Sequence, residues 1–232
     1  MSPVADDGRM GDATLEGPWL SSRDMEDLRA VGARRRLPAG ATLFVEGDEP
    51  FDVVVIDAGE IKLTTLALTG QELVLDVAGA GAILGELSAI DGARRSATAV
   101  ALTNAEVTAI TAERFLTFIA ARPDAMRGLL VLTIRRLRVS NRRQLEYSAT
   151  DALGRVCHRL DELAARYGHH STSGVRIELP LTQTELAQWC GLSREAVVKA
   201  LRKLRDVGWV VSSDDGVIVI CDHHEIHRRG IV

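Results

Sequence analysis

Short apolar runs separated by glycines fill most of the chain between residues 37 and 110. In order, they read LPAGATLFVEGD, VVVIDAGEIKLTTL, LVLDVAGAGAIL and ATAVALTNAEVTAI. Each run alternates apolar residues with turn residues at close spacing, and regular short strands of this kind indicate an antiparallel roll or barrel. With 232 residues, the chain has room for this domain and for a second one, each with its own core.

Beyond the last of these runs, the apolar spacing becomes that of helices. Thr111 can cap a short helix that carries Phe115 and Phe118, and Pro123 suits the first turn of a much longer helix. The long helix has a seam at strict 4–3 spacing, the period of a two-stranded coiled coil, at Met126, Leu130, Thr133, Leu137, Ser140, Gln144 and Tyr147. Polar residues end this seam, so they either fix the register of a dimer or face a ligand held between two chains.

One stretch, GELSAIDGARRSAT from Gly85 to Thr98, carries residues suited to an anion. A glycine at the start of a helical turn presents backbone N–H groups, and an arginine shortly downstream can hold a phosphate through two charge-assisted hydrogen bonds. Glu86, beside the glycine, would repel that phosphate unless it faced another group, such as ribose hydroxyls. The combination suits a phosphorylated ribose, but these residue types alone establish only a small-anion pocket.

Two capped helices with a glycine-containing turn between them follow near the C-terminus. Residues 182–185 form a capping box, Gly191 lies in the turn, and Ser193 can cap the second helix, which predicts a helix-turn-helix. One face of the second helix is apolar; the other, which would face a major groove, carries Arg194, Glu195, Val198, Lys199 and Arg202. WVVSSDDGVIVI then predicts a hairpin, the wing of a winged helix. A solvated surface helix is the alternative, but it explains neither the turn nor the hairpin.

These motifs resemble those of a family of bacterial transcription regulators, the cyclic AMP receptor protein and fumarate–nitrate regulator (CRP/FNR) family. GELSAIDGARRSAT is similar to the phosphate-binding cassette of cyclic-nucleotide-binding domains, RRLRVSNRR to the family's long dimerisation helix, and LTQTELAQWCGLSREAVVKALRKL to its helix-turn-helix. The resemblance implies an α+β fold with an N-terminal antiparallel β-roll, a long dimerisation helix and a C-terminal winged helix-turn-helix. The expected boundaries are 1–34 for an N-terminal arm and short helix, 35–121 for the β-roll, 122–147 for the dimerisation helix and 148–232 for the DNA-binding domain.

The resemblance also implies roles for individual residues. Arg95 would bind a cyclic phosphate and Glu86 the ribose 2′-hydroxyl, while backbone at Gly85 and Leu87 and the Ser96 hydroxyl would complete the cradle. On the long helix, Ser140 and the partner's Asn141 would reach the adenine amino group. The residues carried over to DNA are Arg194, Glu195, Val198, Lys199 and Arg202 on the reading face, with Thr182, Thr184 and Ser193 as phosphate contacts.

The implied function is that of a homodimeric transcription regulator controlled by a cyclic nucleotide. Cyclic AMP is favoured by the resemblance and by Ser140, and cyclic GMP stays possible because the Ser96 hydroxyl could meet the guanine amino group. The implied partners are a palindromic double-stranded DNA operator and RNA polymerase. Two alternatives remain: a ligand-independent DNA binder with a vestigial cassette, and a cyclic-nucleotide-binding module whose C-terminal domain docks protein.

Composition excludes several other kinds of protein and binding site. The net charge of −4 argues against indiscriminate nucleic-acid binding, yet residues 122–146 hold seven Arg against one Asp and one Glu. The three scattered cysteines suit a reducing cytoplasm, and the lack of Cys or His before Cys157 disfavours haem or an iron–sulfur cluster in the first half. His223 and His227 have helical i, i+4 spacing without an obvious third ligand, so we predict a solvent-facing pair and no metal. No nucleophile–base arrangement or membrane-length apolar run is evident, so we predict neither an enzyme nor a membrane protein.

Overall fold

The computed structural model describes residues 19–68, 70–177, 181–212 and 217–230. The N-terminal domain contains two antiparallel sheets, with strand orders β1-β8-β3-β6 and β2-β7-β4-β5. Its strands are β1 (Ala33–Leu37), β2 (Thr42–Phe44), β3 (Asp52–Ala58), β4 (Ile61–Leu66), β5 (Glu72–Ala78), β6 (Ile83–Leu84), β7 (Thr98–Ala101) and β8 (Ala105–Thr111). This arrangement confirms the predicted antiparallel roll. Residues 53–56 in β3 are buried on both faces, because Val53 and Val55 pack against the helices and Ile56 packs against the second sheet.

Helices α1 (Ser22–Ala30) and α3 (Ala112–Ala120) pack with the long helix α4 (Pro123–Ala149) on one side of the roll. Their N-termini are fixed locally, because the Ser21 hydroxyl accepts from Asp24 N and the Thr111 hydroxyl accepts from Arg114 N. Close packing of the N-terminal segment on α4 requires glycine at position 128. A Cβ there would lie 1.8 Å from the carbonyl oxygen of Trp19, so any side chain would displace that segment.

Helix α4 extends two residues beyond 147, the expected end of the dimerisation helix. It continues to Ala149, since residues 147–149 contain neither proline nor glycine to end it. Asp151 caps helix α5 (Ala152–Tyr167) by accepting from Gly154 N, so α4 and α5 are separated by two residues. The connection between these two helices is therefore short.

The C-terminal domain combines helices with a four-stranded sheet of order β11-β12-β10-β9. Its further elements are β9 (Gly168–Ser171), β10 (Gly174–Ile177), α6 (Gln183–Cys190), α7 (Arg194–Asp206), β11 (Val210–Ser212), β12 (Ile218–Ile220) and α8 (His223–Gly230). The wing is present as β11 and β12, while its predicted Asp-Asp-Gly turn lies outside the described residues. The GHHS segment forms β9, and the C-terminal segment forms helix α8, which carries His223 and His227 at the helical spacing noted in the sequence.

Candidate ligand pocket and nucleic-acid interface

Arg95 is a buried arginine in the N-terminal domain. It follows helix α2 (Glu86–Asp91), which begins after Gly85, and the Gly85 backbone has a φ of 81°. Two features favour glycine at position 85. Its φ is positive, and a Cβ would lie only 2.0 Å from Arg95 Nη1. Nη1 donates to Gly85 O at 3.1 Å, and Nη2 donates to Asp52 O at 2.6 Å and to Asp52 Oδ1 at 2.9 Å. The Arg95 side chain is thus held in place by the Gly85 backbone and by Asp52 of β3.

The Nε–H of the Arg95 guanidinium makes no hydrogen bond in the described structure. The residue is 3% exposed, its guanidinium carbon lies 4.4 Å from the centre of the Phe44 ring, and its Nε finds no acceptor within the part of the chain that the structure describes. A buried donor without a partner costs free energy. An anion that reached this Nε–H would remove that cost.

Glu86 is a buried carboxyl paired with a residue of the long helix. The side chain is 2% exposed and accepts from Arg136 Nη1, and Arg136 Nη2 donates to Ile83 O at 3.0 Å. Burial raises the pKa of the Glu86 carboxyl above its usual range, and the nearby charge of Arg136 opposes that shift. Arg136 was not predicted from the sequence as a pocket residue, although Arg136 lies about one helical turn before Ser140.

The other predicted pocket residues lie around Glu86 and Arg95. Leu87 follows Glu86 in α2 and its side chain is 40% exposed, while Ser96 follows Arg95 and is exposed. Ser140 and Asn141 are exposed on α4, about one turn beyond the residue that contacts Glu86. The structure therefore brings together Gly85, Glu86 and Arg95, and it leaves Ser140 and Asn141 on a face of α4 open to solvent.

The exposed face of α7 contains the five side chains that the sequence predicted. Arg194, Glu195, Val198, Lys199 and Arg202 line one surface depression. The opposite face packs into the domain through Val197, Ala200, Leu201 and Leu204, all buried. This division fixes which side of the helix a partner can contact.

The first turn of α7 keeps one carboxylate charged beside cations. The Ser193 hydroxyl accepts from Ala196 N at 3.2 Å and so caps the helix. Hydrogen bonds from the Glu195 backbone and from Ser193 hold the pKa of the Glu195 carboxyl below its usual value. Glu195 is thus an acceptor at neutral pH, which suits a cytosine amino group.

Helix α6 starts with the predicted capping box. The Thr182 hydroxyl accepts from Glu185 N at 3.1 Å, and Thr182 N donates to Glu185 Oε2 at 2.9 Å. Thr182 and Thr184 are both exposed at this helix end. The N–H and the hydroxyl of Thr182 both donate to Glu185 Oε2, so the cap itself occupies these two donors.

A dense charge cluster joins α4, α5 and β5, and no sequence motif indicated it. Arg159 and Arg143 donate to Glu162, Arg166 lies 3.4 Å from it, and Arg166 Nη1 donates to Asp76 Oδ1 at 2.8 Å. Burial acts to raise the pKa of the Glu162 carboxyl, but the charges of Arg159, Arg143 and Arg166 outweigh it and lower that pKa. The cluster links the long helix to both domains.

The interface between the domains also has an apolar part. Val74 and Val77 of β5 belong to the same hydrophobic cluster as Trp189 of α6 and Leu160 of α5. Lys62 Nζ lies 2.8 Å from Glu185 Oε1 at the edge of this contact. The C-terminal domain is therefore docked on the β4–β5 hairpin of its own chain.

The C-terminal histidines are not simply solvent-facing. His223 Nε2 lies 2.9 Å from Asp161 Oδ1 and His227 Nδ1 lies 2.7 Å from Asp161 Oδ2, so α8 is tied to α5, although both rings stay about half exposed. Within the described ranges, no group of three or more His, Cys, Asp or Glu residues is arranged to hold a metal ion. The helices described there also include none that is both long and apolar enough to cross a membrane.

Comparison with known proteins gives matches over both domains. The family model "Cyclic nucleotide-binding domain" matches residues 34–122, and "Crp-like helix-turn-helix domain" matches residues 154–229. The "CRP-like cAMP-activated global transcriptional regulator" of Mycobacterium tuberculosis is 34% identical over 83% of this chain and 85% of its own length. The "Cyclic AMP receptor protein" of Thermus thermophilus is 32% identical over 76% of this chain and 79% of its own length.

Solved structures agree on the fold. The structure of FixK2 from Bradyrhizobium japonicum superposes with a TM-score of 0.77 at 19% identity, covering 87% of this chain and 98% of FixK2. The global regulator CLP of Xanthomonas campestris, described as c-di-GMP responsive, superposes with a TM-score of 0.74 at 25% identity, covering 86% of this chain and 99% of CLP. The Mycobacterium tuberculosis relative and CLP are named as regulators and not as enzymes, as the sequence predicted for this chain.

Proposed function

Because the chain belongs to the CRP/FNR family of transcription regulators, we propose that it is a homodimeric, sequence-specific DNA-binding regulator controlled by cyclic AMP. The division into arm, β-roll, dimerisation helix and DNA-binding domain is part of this proposal. So are a palindromic operator, contact with RNA polymerase and action in the cytoplasm, which suits the free cysteines Cys157, Cys190 and Cys221.

The observation that carries the proposal is that Glu86 and Arg95 are both buried near each other in the cassette, with Glu86 paired to Arg136 of the long helix. A cyclic nucleotide offers a phosphate to Arg95, whose Nε–H is an unused donor, and a ribose 2′-hydroxyl to the Glu86 carboxylate. Backbone at Gly85 and Leu87 and the Ser96 hydroxyl complete the cradle. The choice of cyclic AMP over cyclic GMP rests on two relatives whose names contain cyclic AMP.

The signal leaves the pocket through the long helix. A ribose hydroxyl at Glu86 competes with Arg136, which is the direct link from the cassette to α4. Ser140 of the same chain and the partner's Asn141 then contact the adenine, so that the ligand favours one arrangement of the two long helices. Arg143 carries the change to α5 through Glu162.

The DNA-binding domain reads the operator with α7. Arg194, Glu195 and Lys199 contact base edges, with Val198 and Arg202 on the same face. Thr182, Thr184 and Ser193 contact phosphates and fix the register. In a symmetric dimer the two α7 helices enter successive major grooves, so the half-sites form a palindrome spaced by about one helical turn, ~34–36 Å.

Calorimetry with cyclic AMP and cyclic GMP tests the ligand. We expect heat with cyclic AMP and a rise in DNA affinity when it is present. Heat with cyclic GMP alone would change the named ligand but keep the mechanism. No heat with either nucleotide and unchanged DNA affinity would favour the ligand-independent regulator with a vestigial cassette.

Arg194→Ala tests base reading. We expect a loss of about 1–3 kcal/mol in operator binding. Arg34→Ala, which removes an exposed arginine of β1, is the matched control and should leave binding unchanged. Unchanged operator binding in Arg194→Ala would favour the alternative in which the C-terminal domain docks protein.

A further inference from the structure

Val198 is an apolar side chain in the middle of a charged surface. It lies among Arg194, Glu195, Lys199 and Arg202 in the depression on α7, and it is 39% exposed. The apolar residues that hold α7 in the domain lie on the opposite face and are buried. The packing of α7 in its domain therefore does not explain why an apolar residue stands at position 198.

The position of Val198 gives it a defined shape as a contact surface. A β-branched side chain inside a helix has one strongly preferred χ1 rotamer, so its two methyl groups point in a fixed direction. Helix formation does not favour valine here, because alanine would be the better helix former. The surrounding long side chains can extend past it to polar atoms, while Val198 can offer only an apolar contact.

The DNA major groove has one common apolar group at its base edges. Each base pair presents hydrogen-bond donors and acceptors there, and thymine adds its C5-methyl group. A short rigid apolar side chain that faces the groove matches that methyl group. It matches poorly with cytosine, which presents a C5–H at the same position and an amino donor beside it.

We infer that Val198 is a specificity-determining residue that selects a thymine in each half-site by contact with its C5-methyl group. This inference rests on the proposed DNA-binding function and adds the base to it. Four residues of helix separate Arg194 from Val198, about 6 Å along the axis. That distance corresponds to about two base-pair steps of ~3.4 Å, so the selected thymine lies within about two base pairs of the pair that Arg194 reads.

The test begins with selection of operators from a random double-stranded DNA pool by the full-length protein with cyclic AMP. In a selected half-site, each thymine near the Arg194-dependent base pair is replaced in turn by deoxyuridine, which removes only the methyl group. Binding of wild type, Val198→Ala and Val207→Ala to each duplex is then measured. Val207→Ala is the matched control, because Val207 is an exposed valine at the end of α7 that does not line the depression.

We expect deoxyuridine at one thymine to weaken wild-type binding about three- to fourfold, the value of one buried methyl group. Val198→Ala should bind the thymine site more weakly and should distinguish thymine from deoxyuridine less than wild type does, because alanine leaves only one, more distant methyl group to contact the base. Val207→Ala should distinguish them as wild type does.

Three results would overturn the inference while leaving DNA binding intact. They are no sensitivity of wild type to deoxyuridine at any thymine, equal sensitivity in Val198→Ala, and selection of half-sites without thymine near the Arg194-dependent pair. A failure to enrich any sequence, with or without cyclic AMP, would instead overturn the proposed function and the inference with it.

Discussion

Lys62 Nζ lies 2.8 Å from Glu185 Oε1, and this ion pair joins the β-roll to the first helix of the helix-turn-helix. The same carboxylate closes the capping box of α6 with Thr182. Burial acts to raise the pKa of Glu185, but the hydrogen bonds from Lys62 and Thr182 lower it, so the group is charged at neutral pH. One side chain therefore fixes both the start of α6 and its position on the neighbouring domain.

A double-mutant cycle measures this link. Lys62→Met keeps the aliphatic chain and removes the charge, and Glu185→Gln keeps the capping box, which accepts Gln as well as Glu. We expect each variant to lower the free energy of unfolding in urea, and the pair to show a coupling of about 0.5–1 kcal/mol. Strict additivity of the two losses would mean that the ion pair does not hold the domains together.

The lowered pKa of Glu162 leads us to expect that the contact between the domains loses stability in acid. Its pKa is lower in the folded chain than in the unfolded one, so the stability that it contributes is present above the unfolded value of about 4.3 and is lost as the pH falls through the folded value. In Glu162→Gln, the fall in melting temperature below about pH 4.5 should be shallower than in wild type. Glu113→Gln, an exposed glutamate of α3, is the control, and equal slopes in wild type and Glu162→Gln would contradict the assignment.

The exposed seam of α4 predicts a dimer. Leu137 is 60% exposed in the single chain, and Leu130 and Met126 on the same seam are 59% and 50% exposed. Full burial of a leucine contributes about 1.5–3 kcal/mol, and a symmetric dimer buries two copies. Leu137→Glu should therefore weaken dimerisation more than about 100-fold in sedimentation equilibrium and abolish operator binding. Leu116→Glu, at an exposed position of α3, should stay dimeric, and a dimeric Leu137→Glu protein would refute this seam.

Because position 199 is a lysine, we expect the protein to discriminate weakly between bases at one base pair of each half-site. An ammonium cannot form the bidentate pair with guanine that a guanidinium forms. Lys199→Arg should therefore raise the preference for guanine at one position of the half-site by about 1–3 kcal/mol, measured by competition between operators that differ at that position. Lys203→Arg changes a lysine of α7 that does not line the depression, and it should leave the preference unchanged. The same preference in Lys199→Arg as in wild type would place Lys199 away from the bases.

Local chemistry explains which parts could be predicted from sequence. The capping residues Thr111, Thr182 and Ser193 act on N–H groups three positions away, so the starts of their helices follow from short motifs. The two faces of α7 follow from helical periodicity in the same way. The antiparallel roll was predicted because its strands are short and separated by turns.

Contacts between distant segments could not be predicted in this way. Asp52 and Arg95 are 43 residues apart, and Arg136 reaches Glu86 across 50 residues. Which charged side chains meet depends on how α4 packs on the roll, and no local pattern records that. The Glu162 cluster has the same origin, and the end of α4 lies beyond 147 because no proline or glycine stops the helix there.

In the proposed function, a cyclic nucleotide bound at Arg95 controls DNA binding. The most direct measurement is the affinity of the full-length protein for its selected operator, with and without saturating cyclic AMP, in wild type and in Arg95→Lys, which keeps the charge but loses the bidentate geometry. We predict that cyclic AMP changes the wild-type dissociation constant by about 5- to 150-fold and leaves that of Arg95→Lys nearly unchanged. The same dissociation constant in wild type with and without cyclic AMP would contradict the account.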